Sequence, residues 1–156
     1  MVSTMRTVYL GDTTLRDGEQ TPGAALAPAD KVRIARALAA CGVVALDAGF
    51  PAAAPSEIEA IRAIVREVPG IPVSALCRTL RSDVDKAREA FEGAPPGRCG
   101  VSLFVGTSPL HREHKLRKDV AGVVAIVRDS VEYARGWFDG VGFRPEDPSR
   151  TEPAVP

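Results

Sequence analysis

Short apolar runs alternate with helical patterns along the whole chain, and this alternation limits the fold more than any other feature of the sequence. Five runs of strand length begin near positions 7, 43, 71, 100 and 139, and four segments with apolar residues at helical spacing lie between them. Strands that alternate with helices form parallel sheets, because each helix crosses from one strand to the next. We therefore predict an α/β chain with about five parallel strands and four helices.

Local signals bound these predicted elements. The first helix is predicted over residues 30–41, where Gly42 suits a helix C-terminus. Ser56 and Glu59 have the spacing of a capping box, which predicts the start of the second helix. The third helix is predicted over residues 82–91, and the fourth carries a stripe of valines at positions 120, 123, 124, 127 and 131. The strands are predicted over residues 7–10, 43–46, 71–77, 100–105 and 139–143.

Composition excludes several classes of partner. The 20 basic and 20 acidic side chains give no net charge, so neither a nucleic acid nor a membrane surface is expected as the main partner. The three cysteines, Cys41, Cys77 and Cys99, form no Cys-x-x-Cys pair, which favours reduced thiols. The sequence contains neither a signal-peptide pattern nor an 18-residue apolar run. We expect a cytoplasmic protein with a small-molecule ligand.

Polar residues are concentrated directly after the first predicted strand, where the chain reads Asp12-Thr13-Thr14-Leu15-Arg16-Asp17-Gly18-Glu19-Gln20. Right-handed crossovers place every loop that follows a strand on one edge of the sheet, and α/β proteins bind their ligands at that edge. By composition alone the segment is also compatible with an ordinary solvated loop.

This segment, with Thr21-Pro22-Gly23 behind it, resembles the signature of the metal-dependent TIM-barrel family that contains 2-isopropylmalate synthase, homocitrate synthase, citramalate synthase and 3-hydroxy-3-methylglutaryl-CoA lyase. The similarity covers roughly residues 6–153, its spacing is closest to the 2-isopropylmalate synthases, and its further motifs follow the later strands: Ala48-Gly49-Phe50-Pro51, Ala75-Leu76-Cys77-Arg78, Thr107-Ser108-Pro109-Leu110-His111 and Pro145-Glu146-Asp147. The resemblance implies a partial (β/α)8 barrel. Residues 1–144 are expected to form its N-terminal half, and the proline-rich residues 145–156 the truncated start of the next loop and helix.

The resemblance also implies a reaction, the Claisen-type condensation of acetyl-CoA with a 2-oxo acid, as in leucine biosynthesis. A divalent ion (Mg, Mn or Zn) would polarise the ketone, and Asp17 matches its carboxylate ligand. Arg16 matches the catalytic arginine at the reacting carbonyl, although Arg16 and Asp17 would also suit a surface ion pair. The alternatives are a homocitrate synthase-like condensation and an inactive binding or scaffolding module with the same fold.

Further residues match the site of the family. Glu146 matches a catalytic glutamate that faces the substrate, or it is a helix first-turn acid. Arg78 either faces the substrate or pairs with an acid such as Asp47. His111 and His114 form only a weak zinc pattern. The predicted substrate-binding residues are Gln20, Asp47, Arg78, Thr107, His111 and Arg144, of which Gln20 and Thr107 would equally serve to close their own turns.

The chain departs from the family in three respects. Asp47 replaces a glutamate, and Gly142 and Arg144 replace an acid and a small hydroxyl residue. Strand alternation places Arg144 on the same face as Gly142, where its side chain would either reach the oxo-acid pocket or point to solvent. The His-x-His ligands and a downstream asparagine of the family belong to strands that this sequence does not contain. We therefore expect the chain to act as a homodimer or with a complementing C-terminal half-barrel chain.

Overall fold

The computed structural model describes residues 7–153, which form a five-stranded parallel sheet with the strand order β1-β2-β3-β4-β5. The strands are β1 (Gly11–Asp12), β2 (Ala45–Asp47), β3 (Val73–Arg78), β4 (Cys99–Gly106) and β5 (Gly140–Glu146). The connecting helices are α1 (Pro28–Ala40), α2 (Pro55–Glu67), α3 (Arg81–Ala90) and α4 (Val120–Arg135). Right-handed crossovers between consecutive neighbours place all four helices on one face of the sheet. The architecture is a partial TIM barrel, which confirms the predicted fold.

The helix starts differ from the sequence prediction. The capping box predicted from Ser56 and Glu59 is wrong, because α2 begins at Pro55 and has no side-chain cap. Proline suits the first position of a helix since its fixed φ is already helical and its missing N–H needs no partner there. Among the four helices α4 has a side-chain cap, in which Asp119 accepts a hydrogen bond of 2.8 Å from the Gly122 amide.

The two edge strands also differ from their predicted bounds. The apolar run 7–10 is not a strand: Val8 and Tyr9 are exposed, and pairing with β2 begins at Gly11. At the other edge β5 continues past Phe143 to Glu146 and contains Pro145, which is paired in register with Val105. An edge strand tolerates proline because the missing N–H can face away from the partner strand.

The hydrophobic core lies between the sheet and the helices. Alternate strand residues point towards the helices and are buried, namely Val73, Ala75 and Cys77 on β3 and Val101, Leu103 and Val105 on β4. All of these except Val105 pack in one cluster with apolar residues of α2 and α3, which include Ile58, Ile61, Ile64, Val65, Val84 and Ala87. The valine stripe of α4 is less covered, since Val123 alone of its five members is buried. The core therefore thins towards β5.

The opposite face of the sheet is lined by small residues. Ser74, Gly100 and Gly140 lie in one row across β3 to β5, and Ser102 and Gly142 lie in the row above. These residues line an open concavity of about 520 Å³. In a closed barrel this face would be filled by layers of side chains from all the strands. No helix within residues 7–153 is both long and apolar enough to span a bilayer.

Candidate active site

Arg16 and Asp47 form the centre of the site at the carboxyl-terminal edge of the sheet. Arg16 lies in the loop after β1, and its Nε and Nη2 atoms each lie 2.9 Å from Oδ2 of Asp47, the last residue of β2. Its Nη1 atom donates to Oδ1 of Asp17 at 2.8 Å. The Arg16 and Asp47 side chains are 14% and 3% exposed, whereas Asp17 is 61% exposed. The Arg16 guanidinium is therefore held in one orientation by two carboxylates.

The Asp47 carboxylate is electrostatically unusual. Burial raises its pKa above the ordinary range, and the hydrogen bond and charge of Arg16, with the charge of Arg144, offset only part of that effect. Its Oδ1 atom is buried and has no hydrogen-bond partner within residues 7–153. Buried acceptors without a partner are rare in folded proteins, so this atom marks a position where a further donor would be favourable.

Arg144 approaches the same carboxylate from β5. Its Nη1 atom lies 3.8 Å from Oδ2 of Asp47, and its side chain is 56% exposed. Strand register places Arg144 in one row with Phe104 of β4 and Arg78 of β3, on the open inner face. Asp47 and Arg144, two of the positions at which the sequence analysis expects a departure from the family it resembles, are thus neighbours in space.

Arg78 has a different partner from the one considered in the sequence analysis. Arg78 does pair with an acid, but the acid is Asp83 and not Asp47: its Nε and Nη2 atoms bind Asp83 at 2.7 and 2.9 Å, and its backbone amide donates to the same carboxylate at 3.1 Å. Its guanidinium also lies 5.7 Å from the centre of the Phe50 ring. Asp83 lies in the first turn of α3, so an acid at that position was the sequence signal for this pair.

Thr107 is fully buried at the end of β4. Its hydroxyl lies 2.6 Å from the Thr151 hydroxyl, and its carbonyl accepts a hydrogen bond from Arg112. Arg112 also binds both carboxylate oxygens of Glu152. The structure thus gives Thr107 contacts that attach the segment after β5 to the end of β4, rather than an open face towards the inner surface.

Glu146 and His111 meet at the ends of β5 and β4. Glu146 is the last residue of β5 rather than a first-turn helix acid, and its Oε2 atom lies 3.1 Å from Lys115 Nζ and 3.9 Å from His111 Nδ1. The His111 Nδ1 atom is buried without a hydrogen-bond partner in the described chain. The ring packs directly over Gly106, where any Cβ would overlap it. The glycine at the end of β4 was the available signal for this packing.

The remaining predicted residues lie near this edge but do not join one cluster. Gln20 ends a single 3-10 turn, Gly18–Gln20, and lines a cleft of about 300 Å³ together with Arg16 and Phe50. His114 is 65% exposed and points towards Glu113 at 3.9 Å. Between residues 7 and 153, no three histidine, cysteine or acidic side chains are close enough to bind a metal ion. Asp17 alone does not fit a complete metal site.

A buried charged cluster below Arg16 was missed in the sequence analysis. Lys31 of α1 is fully buried, and its Nζ atom contacts the carboxylates of Glu19 and Glu57. The only sequence signal was a lysine directly before Val32, at the start of the apolar face of the first helix. Because lysine is almost never fully buried unless it is paired, this position would not be chosen from periodicity.

Known proteins are similar to this chain over nearly all of its length. The sequence model of the HMGL-like family matches residues 7–155. Three similar proteins are named 2-isopropylmalate synthase. The one from Streptococcus gallolyticus (strain UCN34) is 47% identical over 95% of this chain, and the one from Solidesulfovibrio magneticus (strain ATCC 700980 / DSM 13731 / RS-1) is 46% identical over 94%. The one from Pyrococcus abyssi (strain GE5 / Orsay) is 42% identical over 95%. The matched region spans 28%, 28% and 30% of those relatives. With its fold and its strand-end motifs in the matched region, the chain belongs to the HMGL-like family.

Proposed function

We propose that this chain supplies the first part of the substrate site of a 2-isopropylmalate synthase-like acyltransferase, which condenses acetyl-CoA with a 2-oxo acid. The observation that carries the proposal is the Arg16 guanidinium, held by Asp47 and Asp17 at the edge of the sheet where α/β proteins bind ligands. A cation fixed before the reaction stabilises the negative charge that develops on the carbonyl oxygen of the 2-oxo acid. The names of the relatives support this choice of reaction.

The other residues are assigned roles from their places around Arg16. Asp47 orients Arg16, and Glu146 is the proposed catalytic carboxylate on the far side of the inner face, near His111. Asp17 is the one candidate ligand for a divalent ion. Because residues 7–153 do not complete a metal site, we assign the metal no step in this part of the protein.

The rest of the site would come from outside residues 7–153, and a second copy or a complementing C-terminal half-barrel is the proposed source. Two features support this proposal. The inner face carries small residues over a concavity of about 520 Å³, and the described sheet ends at β1 and β5 without further strands to close it. Exposed strand edges of this kind pair readily with other strands.

The test is thiol release from acetyl-CoA with 2-oxoisovalerate in the presence of Mg or Mn. The chain alone is expected to turn over far more slowly than about 1 per second, and addition of a complementing half should restore activity. In that mixture Asp17→Asn should abolish metal-dependent turnover. Asp129→Asn is the matched control, since Asp129 is also an exposed acid paired with one arginine, and it should retain activity. Full turnover by Asp17→Asn would remove Asp17 from the metal site.

Arg144 favours a second candidate, a homocitrate synthase-like reaction on a substrate with two carboxylates. A half-exposed guanidinium on the inner face suits a charge-assisted, bidentate pair with a second carboxylate better than the branched apolar tail of 2-oxoisovalerate. Binding or activity with 2-oxoglutarate and with 2-oxoisovalerate, measured for wild type and Arg144→Ser, decides between the two reactions. An unchanged preference would exclude Arg144 from the pocket.

A further inference from the structure

We propose that Lys31 is a positioning residue, which with Glu19 and Glu57 holds the loop that carries Arg16 in place. The loop, residues 13–26, connects β1 to α1 and contains Arg16, Asp17 and Gln20. The consequence for substrate rests on the function proposed above, whereas the effect on the loop itself does not.

The contacts of Lys31 join three parts of the chain. Its side chain is 1% exposed, and its Nζ atom lies 2.5 Å from Oε2 of Glu19 in the loop. The same Nζ atom donates to Oε1 of Glu57 in the first turn of α2. Glu19 and Glu57 are 21% and 14% exposed, so both ion pairs are largely shielded from water. The lysine therefore ties the loop to two helices at once.

The second oxygen of each glutamate extends the connection to the backbone. Oε1 of Glu19 accepts a hydrogen bond of 2.9 Å from the Leu26 amide, near the end of the same loop. Oε2 of Glu57 accepts one of 2.9 Å from the Phe50 amide in the loop after β2. At Gly49 any Cβ would overlap the Glu57 carboxylate, so glycine is needed beside it. The cluster thus fixes the loop after β1 relative to the loop after β2.

This connection reaches Arg16 through a short path. Glu19 lies three residues after Arg16, and the amides of Arg16, Asp17 and Gly18 all bind the carbonyl of Thr13 in one tight turn. A displacement of Glu19 would therefore move the whole turn. Arg16, Glu19, Phe50 and Glu57 also line the same cleft of about 300 Å³.

The charges of the cluster depend on one another. Burial acts to raise the pKa of Glu19, but the hydrogen bonds from Lys31 and the Leu26 amide and the charge of Lys31 outweigh it, so the pKa is lowered. Within residues 7–153, the charged groups in contact with Lys31 are Glu19 from the loop and Glu57 from α2. Without the lysine, two partly buried carboxylates would face each other, and their repulsion would displace the loop that carries Glu19.

Hydrogen exchange of the intact chain tests this role in Lys31→Met, which keeps the length of the side chain and removes its charge. Amides of residues 13–26 should lose protection by about ten-fold or more at pH 7, while those of α4 keep theirs. Lys86→Met is the matched control, because Lys86 is an exposed lysine on α3 paired with Glu89, and it should leave the loop unchanged. Equal loss of protection in all elements, or none in the loop, would overturn the proposal.

A double variant separates positioning by charge from simple packing. In the double variant Lys31→Met/Glu19→Gln only one of the two carboxylates keeps its charge, so the repulsion is removed and the loop should lose less protection than in Lys31→Met. An equal loss in the two variants would indicate packing alone and contradict the proposal. If Lys31→Met does not fold, Glu19→Gln, which removes one ion pair and leaves the other, should loosen the loop in the same direction.

Binding of 2-oxoisovalerate, followed by the NMR shifts of the loop amides, connects the cluster to the site. The wild type should bind more tightly than Lys31→Met, and Lys86→Met should bind like the wild type. Equal affinity of Lys31→Met despite a loosened loop would overturn the role in substrate binding. If the wild type does not bind any 2-oxo acid, the proposed function fails, whereas the exchange experiment still decides whether Lys31 holds the loop.

Discussion

Replacement of Asp47 by asparagine should stabilise the fold at neutral pH, although it removes the charged partner of Arg16. Burial raises the pKa of Asp47, and the opposing effects of Arg16 and Arg144 do not cancel that rise. The ionised carboxylate is therefore less favourable in the folded chain than in the unfolded one. The residue would be kept for the orientation of Arg16, at a cost in stability.

The size of the effect follows from the contacts. Asparagine keeps an acceptor oxygen for Arg16 but loses the charge, which weakens each of the two hydrogen bonds by about 1 kcal/mol. Against this loss stands the desolvation of a carboxylate that is 3% exposed and has one unpartnered oxygen, a cost of several kcal/mol. We expect a net gain in the free energy of unfolding of about 1 kcal/mol, or about 3 °C in Tm.

The difference in stability between the wild type and Asp47→Asn should depend on pH with a defined sign. Because the pKa of Asp47 in the folded chain lies above its ordinary value of 3.8, the folded state binds more protons between the two pKa values. The stability of the wild type relative to Asp47→Asn should therefore fall as the pH rises through that window. Asp129→Asn is the control, for which we expect a pH dependence of the opposite sign. The hydrogen bond from Arg81 lowers the pKa of Asp129, so the contribution of Asp129 to stability is lost as the pH falls.

Urea denaturation followed by circular dichroism between pH 4 and pH 8 measures the free energy of unfolding of Asp47→Asn and of Asp129→Asn relative to the wild type. The reasoning would be refuted if the stability of the wild type relative to Asp47→Asn rose with pH. Any loss of stability in Asp47→Asn at pH 7 would also refute it, because the Arg16 pair would then outweigh the cost of burial.

Three further outcomes test the packing around the site. Leu103→Ala should lower the free energy of unfolding by about 2–5 kcal/mol, because Leu103 is fully buried between the sheet and the helices, and a smaller loss in urea denaturation would mean that the core relaxes around the change. Asp83→Ala should cost about 1–2 kcal/mol by the same assay, since it releases Arg78, and a neutral effect would show that this pair is screened by solvent. Burial raises the pKa of Cys77 to about 12, so Ellman's reagent at pH 8 should modify the exposed Cys41 in the native chain and Cys77 only after unfolding, whereas equal rates would contradict the burial of Cys77.

The alternation of strands and helices was readable from the sequence because it depends on local periodicity. An apolar run or a helical stripe reports the face that an element buries, whichever element covers it. The number and order of the strands and helices followed from this information, whereas the motifs at the strand ends came from the resemblance to a known family. The errors lie at element ends, as at residues 7–10 and at Ser56, where pairing with a neighbour or a proline at the first helical position decides the boundary.

The partners of the charged side chains were decided by the tertiary structure. Arg78 binds Asp83 rather than Asp47. Arg16 shares Asp47 with Arg144, which lies in β5, three strands away in the sequence order from β2. Lys31 joins Glu19 to Glu57 across two helices and a loop. Sequence spacing carries no information on such pairs, because an ion pair depends on distance and on exclusion of water, and both arise only when separate segments pack together.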